Sequence, residues 1–148
     1  MDRRDRRARE EGEAAEARGV NEPFGGGLTL DAGALIALER RGARVTRLLR
    51  AAHAHHRTVT APVAAIAEWW RGRSERREWI EAGLLVEPMD RQLAHVAGEA
   101  LARVRGATVV DAIVAASAAR RGDVVLTSDP GDLARLAAHF PGLRVLAV

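Results

Sequence analysis

Five acidic side chains occur at positions where an alternating strand–helix chain brings carboxylates together. Asp31 directly follows a short apolar run, and Asp129 and Asp132 come just after another apolar run. Asp111 lies in the first turn of one predicted helix, and Glu68 lies in the second turn of another. Because ligands of parallel α/β sheets bind beyond the carboxyl ends of the strands, we expect these five carboxylates at one edge of the fold.

A group of carboxylates in a partly desolvated cleft predicts a bound divalent cation. Like charges repel each other there, and a cation offsets that repulsion. Oxygen ligands without any cysteine favour hard ions, which here means Mg²⁺ or Mn²⁺. Such an ion polarises a phosphoryl oxygen and helps to generate hydroxide from water for in-line attack. The acidic residues therefore predict metal-dependent phosphodiester hydrolysis.

The same acids also fit an ordinary structural role. Asp129 precedes a proline and Asp111 follows a threonine by three residues, which are patterns of helix N-caps and capping boxes. Glu68 has an arginine three residues on and fits a surface ion pair. Asp31 also fits a cap, although an unpaired charge directly after an apolar strand is costly. Spacing alone leaves both interpretations open. The five acids together are stronger evidence for a metal site than any one of them.

The elements that would position these acids alternate along the chain. Short apolar runs predict strands, and apolar residues at helical spacing predict the segments between them. The predicted strands are 28–30, 58–60, 84–86, 124–127 and 143–147. The predicted helices are 32–41, 43–56, one that Pro62 opens, 90–105, 108–121 and 129–139. Strands separated by helices predict an α/β fold with a central, mainly parallel sheet of about five strands and helices on both faces.

Length and composition limit the other possibilities. The 148 residues, 47% of them hydrophobic, suit a single core. Residues 1–27 predict a charged, disordered extension with a glycine joint, and residues 28–148 predict the folded domain. The absence of cysteine excludes disulfide scaffolds and thiol nucleophiles. The chain has no membrane-length apolar run and no secretory signal pattern, so we expect a cytoplasmic protein.

The positive charge comes entirely from arginine. The sequence contains 23 basic and 20 acidic residues, which gives a net charge of +3, so the chain is not a general polycation. Two arginine runs stand out, at 40–57 and 71–77, and either could follow a phosphate backbone towards the acids. We favour Arg71 and Arg73 as contacts to the phosphate backbone because they closely follow Glu68. The alternative is a solvated helix face.

Two further clusters have structural and functional interpretations. The histidines of the segment 53–56 have no acid or thiol beside them, which favours a partly exposed helix end over a metal site. Trp69, Trp70 and Trp79 do not all fit easily into one small core. One or two of them could therefore line a subunit or partner interface, and burial against a neighbouring helix is the alternative.

Four segments together resemble a known family. LTLDAGALIALER, APVAAIAEWW, VVDAIVAASAARRGDVVLTSDPGDLARLA and the closing strand are similar to the PIN domain, specifically to VapC-type ribonuclease toxins of bacterial toxin–antitoxin pairs. The resemblance covers about residues 28–148 and implies a three-layer α/β/α sandwich with Mg²⁺- or Mn²⁺-dependent RNA cleavage. It also implies a homodimer and a cognate antitoxin that plugs the acidic cleft, commonly with an arginine.

The resemblance assigns roles to individual residues. Asp31, Glu68, Asp111 and Asp129 match the family's four metal-binding acids, and Thr127 matches the hydroxyl residue of the T-x-D motif. Asp132 occupies a variable position, so its role as a further ligand stays open. The charged leader departs from the family, whose members usually start almost directly at the first strand.

Three other functions compete with a ribonuclease toxin. The first is a PIN-type nuclease outside a toxin–antitoxin pair, acting in RNA processing or on DNA. The second is a non-catalytic, arginine-based module that binds nucleic acid or protein and whose acids only cap helices. The third, a phosphoryl-accepting receiver domain, shares the α/β pattern but requires a lysine, and the chain has none.

Overall fold

The computed structural model of the protein describes residues 26–148. Five strands are present in this part of the chain: β1 (Leu28–Leu30), β2 (Val59–Pro62), β3 (Leu85–Glu87), β4 (Val124–Thr127) and β5 (Arg144–Ala147). They form one sheet in the order β3-β2-β1-β4-β5, and every neighbouring pair is parallel. The chain therefore first adds strands on one side of β1 and then on the other, so the order of the strands reverses beside β1.

Seven helices of the described chain connect these strands. They are α1 (Ala32–Glu39), α2 (Ala43–Ala54), α3 (Val63–Trp69), α4 (Glu75–Ala82), α5 (Arg91–Arg103), α6 (Val109–Arg121) and α7 (Pro130–Ala137). Because parallel crossovers are right-handed, α1 to α4 cover one face of the sheet and α5 to α7 cover the other. The contacts within each layer agree, since α1 packs against α2, α3 and α4, and α6 packs against α5 and α7; α3 and α6 are also in contact, which joins the two layers.

The core lies between these two layers and is centred on β1 and β4. Every residue of these two strands is buried. On one face, α6 contacts β1, β2 and β4 and is buried on all sides along seven small or apolar residues, from Ala112 to Ala118. On the other face, α1 buries Ala34, Leu35 and Leu38. Two continuous apolar surfaces thus hold the carboxyl ends of β1 and β4 side by side.

The predicted fold class is confirmed, and the main difference concerns α3 and α4. The sequence predicted one helix opened by Pro62, but the chain leaves helical conformation at Trp70 (φ −69°, ψ 113°) and at Gly72, whose φ is 107°. Ser74 then caps α4 by accepting the backbone N–H of Arg77 at 3.1 Å. Pro62 itself is the residue before α3 rather than its first residue.

The predicted extension lies almost wholly outside the described part of the chain, because the structure describes no residue before Gly26. The division into an extension of 1–27 and a domain of 28–148 stays a prediction. Within residues 26–148, none of the helices is both long and apolar enough to cross a membrane.

Candidate functional site

Asp31 stands where β1 ends and α1 begins. Its backbone N–H donates to the carbonyl of Leu126 in β4 at 3.3 Å, so the residue still belongs to the sheet. Its carboxylate Oδ1 accepts the N–H of Ala34 at 2.8 Å, which makes it the N-cap of α1. The capping role that the sequence allowed is therefore present. It fixes this carboxylate at the carboxyl edge of the two central strands.

The environment of Asp31 disfavours its charge. Burial raises the pKa of this carboxyl above its ordinary value, and the nearby carboxylates of Asp111 and Glu68 raise it further. Hydrogen bonds from the Thr127 hydroxyl and the Ala34 N–H lower the pKa but do not cancel these effects. The fold thus brings Asp31, Asp111 and Glu68 from three separate helices into one electrostatic neighbourhood.

The segment after β4 approaches this neighbourhood closely. Thr127 is buried, and its hydroxyl accepts the backbone N–H of Asp129 at 3.1 Å, which shapes the turn into α7. A side chain at Gly33 would place its Cβ 2.1 Å from the hydroxyl oxygen of Ser128. Glycine at this position therefore allows the first turn of α1 to pack against the turn that carries Asp129.

The remaining predicted acids take part in local hydrogen bonds. Asp111 forms the predicted capping box with Thr108, in which its N–H donates at 3.1 Å and its carboxylate accepts the Thr108 N–H at 3.5 Å. Asp129 caps α7 by accepting the Gly131 N–H at 3.4 Å. Asp132 pairs with Arg135. The structural roles that the sequence left open are thus present for these residues.

No three His, Asp or Glu side chains of residues 26–148 form a ready-made metal cluster. The donor set nevertheless fits a hard cation, since several carboxylates share one sheet edge and Asp31 is disfavoured as a charge there. The carboxylates of Asp111 and Asp129 accept only long bonds, and Glu68 and Asp129 are exposed. These side chains can therefore turn towards a cation without leaving a buried polar group unpaired.

The second arginine run divides into two pairs. Arg71 and Arg73 are exposed, and the guanidinium of Arg73 lies 2.8 Å from the carboxylate of Glu78. Arg76 instead donates to the carbonyl of Leu38 at 2.9 Å, and Arg77 pairs with Glu39 at 3.0 Å. The latter pair fastens α4 to the end of α1, whereas the former remains accessible beside Glu68.

The three tryptophans have different environments. Trp69 is buried and donates its Nε1–H to Glu39 at 2.9 Å, and its ring meets that of Trp70 edge-on with centroids 5.9 Å apart. Trp79 is 68% exposed on α4, with the guanidinium of Arg76 5.2 Å from its ring centroid. One tryptophan is thus available for an interface, as one of the two interpretations of the sequence allowed.

Sequence reasoning missed a buried ionic network under α6. Asp123 accepts hydrogen bonds from the N–H of Gly27, the hydroxyl of Thr29 and the Nε of Arg121, at 2.8 to 2.9 Å. Arg121 also pairs with the buried Glu87 at the end of β3. The available signal was an acid directly before a strand and arginines at the end of the preceding helix. The network joins three strands to α6, and α6 carries Asp111 at its other end.

Comparisons with known proteins agree with this architecture. Residues 28–138 match the PIN domain family. A search of curated proteins gave no match. Of 26 similar solved chains, one is from VapBC2 of Rickettsia felis bound to a DNA fragment from their promoter. Its TM-score is 0.64 at 11% identity, with 82% of this chain and 98% of that chain covered.

Two further solved structures are also similar. The Mycobacterium tuberculosis toxin VapC20, described as cleaving the sarcin–ricin loop, gives a TM-score of 0.57 at 24% identity, covering 79% of this chain and 98% of that chain. A toxin–antitoxin complex from Klebsiella pneumoniae gives 0.58 at 18% identity, covering 81% and 96%. These likenesses support the fold, and the family match extends over most of the described residues. The chain belongs to the PIN domain family.

Proposed function

We propose that this protein is a Mg²⁺- or Mn²⁺-dependent endoribonuclease of the VapC toxin type. The observation that carries the proposal is the environment of Asp31, a partly buried carboxylate whose pKa is raised beside Asp111 and Glu68. It lies at the carboxyl edge of the central strands of a PIN domain. Carboxylates whose charged form is destabilised by their surroundings are typical of functional sites.

The residues that would hold the cation are Asp31, Glu68, Asp111 and Asp129, with Asp132 as a further candidate. When bound, the ion supplies charge neutralisation at the phosphodiester and activation of water. The chain contributes the positioning: the Ala34 N–H orients the carboxylate of Asp31, and the Thr127 hydroxyl shapes the turn that carries Asp129. No lysine, tyrosine or cysteine exists in the sequence to act as a base or nucleophile, which agrees with hydrolysis by water.

The negatively charged RNA needs basic side chains beside this acidic edge in order to bind there. Arg71 and Arg73 follow Glu68 directly and are exposed, so we assign them to the phosphate backbone. Their guanidinium groups would balance the repulsion between the phosphates and the acids. The ion pair of Arg73 with Glu78 is largely exposed and costs little to open.

The proposal includes an antitoxin partner, a homodimer and a cytoplasmic location. VapBC2 and the Klebsiella pneumoniae complex, both similar in fold, are toxin–antitoxin assemblies. An acidic edge of this kind would accept an arginine from an antitoxin in place of the cation. A short reading frame just upstream of this one would support the toxin role, and its absence would favour a PIN nuclease with another task.

A second candidate function is a binding module whose acids only cap helices. The observation that favours it is the local hydrogen bonding of Asp111 and Asp129, together with the lack of a ready-made three-residue metal cluster in residues 26–148. Such a protein would bind RNA through its arginines but would not hydrolyse it.

Cleavage of total RNA by the purified full chain separates the two functions. We expect cleavage with Mg²⁺ or Mn²⁺ that stops in EDTA and is abolished by Asp31→Asn, which keeps the side-chain shape and removes the charge. Glu75→Gln, an exposed acid in the first turn of α4, is the matched control and should cleave normally. Full activity of the Asp31 variant would refute the nuclease assignment.

A further inference from the structure

A groove between α2 and α4 lies apart from the acidic edge and has no role in the proposed function. It is open, with a volume of about 790 Å³. Its apolar lining includes Leu38, Leu49 and Ile80, and the largely exposed ring of Trp79 borders it. A solvent-facing apolar groove with a tryptophan on its wall is a typical docking site for a chain segment.

The charge of the groove selects the kind of segment. Within residues 26–148, every charged residue that lines it is basic: Arg41, Arg47, Arg50, Arg76 and, when protonated, His53. Arg47 and Arg50 lie one turn apart on α2 and face the same side of the groove, which we call the arginine wall. An occupant therefore needs acidic side chains beside a few apolar ones.

The chain enters the described structure between the end of α6 and the start of β2: a Cβ at Gly26 would lie 2.7 Å from the Gly122 carbonyl, and one at Gly27 would lie 2.1 Å from the Thr58 carbonyl. The N–H of Leu28 donates to the carbonyl of Thr58 at 3.0 Å. The neighbouring Arg57 donates its N–H to the carbonyl of Ala52 at 2.8 Å, and Ala52 directly precedes the groove residue His53. The preceding residues therefore start at the end of the fold where α2 ends, and the groove residue His53 lies in the last turn of that helix.

Residues 10–24 have the composition that the groove requires, with five glutamates and one arginine, Arg18. Residues 10–17 contain four glutamates and no basic residue, at positions 10, 11, 13 and 16. Val20 and Phe24 lie between this acidic block and the glycines. An extended chain spans about 3.3 Å per residue, so the acidic block can reach along the whole of α2, which is about 18 Å long.

We propose that residues 10–24 bind in the groove of the same chain. Val20 and Phe24 cover the apolar lining near Leu84, and the four glutamates face the arginine wall. Because the segment is tethered, its effective concentration at the groove is in the millimolar range, so individually weak contacts suffice. This inference goes beyond the proposed function, and its test does not involve RNA cleavage.

Engineered disulfides test the proposal directly, because the natural chain has no cysteine. The full chain carries Ala14→Cys with either Ala43→Cys, an exposed alanine that lines the groove at the start of α2, or Ala94→Cys, an exposed alanine on α5 across the sheet. In dilute protein under mild oxidation, we expect the groove pair to form its intramolecular disulfide at least about tenfold faster than the control pair.

Charge removal should abolish that difference. Changing the four glutamates at 10, 11, 13 and 16 to glutamine, or adding about 1 M salt, should slow the groove pair to the rate of the control. Acrylamide quenching gives a second measurement without cysteines. The glutamine variant should expose Trp79 and raise quenching relative to the natural chain, and Trp79→Phe should remove that increase.

Three results would overturn the proposal. Equal rates for the two pairs in the natural background would show that residues 10–24 do not bind in the groove, and would favour another acidic protein as its occupant. Disulfides that link two chains instead of one would assign the groove to a second copy. A fast groove pair that is unaffected by the glutamine changes would show that the arginine wall does not select the segment.

Discussion

Asp31→Asn is expected to stabilise the metal-free protein while removing its response to Mn²⁺. Asparagine still accepts the Ala34 N–H, which is 2.8 Å from the present carboxylate, so the helix cap remains. The charge that burial, Asp111 and Glu68 disfavour is gone. Each pKa unit of such a shift corresponds to about 1.4 kcal/mol. A stabilisation of about 1 kcal/mol raises the melting temperature of a domain this size by roughly 4 °C.

Asp90→Asn is the matched control. Asp90 caps α5 in the same way, accepting the Leu93 N–H at 2.7 Å, but its pKa is lowered by that bond and by Arg120. Removing a favoured charge should lower the melting temperature and leave the Mn²⁺ response unchanged. The two variants make the same chemical change at two N-caps. Opposite changes in melting temperature would therefore show that the electrostatic environment of each carboxylate determines the effect.

The pH dependence has a definite sign at each position. The folded state holds the Asp31 proton more tightly than the unfolded chain, so stability falls as pH rises from about 3.8 through the raised pKa. Asp31→Asn should remove this decline. For Asp90 the lowered pKa has the opposite effect, since its stabilisation is present above about 3.8 and is lost as pH falls through the folded-state value.

Thermal unfolding followed by circular dichroism measures both effects. In EDTA near neutral pH, Asp31→Asn should melt above the natural protein. With Mn²⁺ at about 100 times its dissociation constant, the natural protein should gain about 2.7 kcal/mol and the variant much less. A lower melting temperature of Asp31→Asn in EDTA would refute the reasoning that this carboxylate is disfavoured where it lies.

Three further predictions concern positions around the site. Arg121→Ala removes an ion-pair partner from the buried acids Glu87 and Asp123, while Arg120 still pairs with Glu87, and should cost about 1–3 kcal/mol in urea unfolding; unchanged stability would contradict a buried network. Gly33→Ala places a Cβ 2.1 Å from the Ser128 hydroxyl, which can rotate away, and 3.2 Å from the Ser128 backbone N, which cannot, so it should cost about 1 kcal/mol by the same measurement; unchanged stability would show that the turn after β4 shifts to make room. Arg71→Ala with Arg73→Ala should weaken the binding of single-stranded RNA in fluorescence anisotropy and reduce its salt slope by roughly 0.7 per lost phosphate contact. An unchanged slope would exclude both arginines from the interface.

Much of the fold could be predicted because its signals are local. Thr108 and Gly122 bound α6 as expected, since a capping box and a left-handed glycine are short-range features. Asp90 starts α5 for the same reason. The break between α3 and α4 was missed because the helix-forming pattern continues past it, and Gly72 alone is weak evidence for a turn.

The candidate site could be predicted by position but not by side-chain orientation. Parallel topology places Asp31 and the turn after β4 at one edge, and the common neighbourhood of Asp31, Asp111 and Glu68 agrees with this. Whether an acid turns to its own helix or to a neighbour depends on tertiary distances that spacing does not contain. The same holds for Arg76 and Arg77, whose structural contacts with α1 come from distant parts of the sequence.

Titration of Mn²⁺ into the metal-free full chain by calorimetry decides whether these acids are metal ligands or only helix caps. We expect saturable binding by the natural protein that is lost in Asp31→Asn and in Asp111→Asn and retained in Asp90→Asn. No binding by the natural protein, or equal binding by all four proteins, would contradict a metal centre at this edge of the sheet.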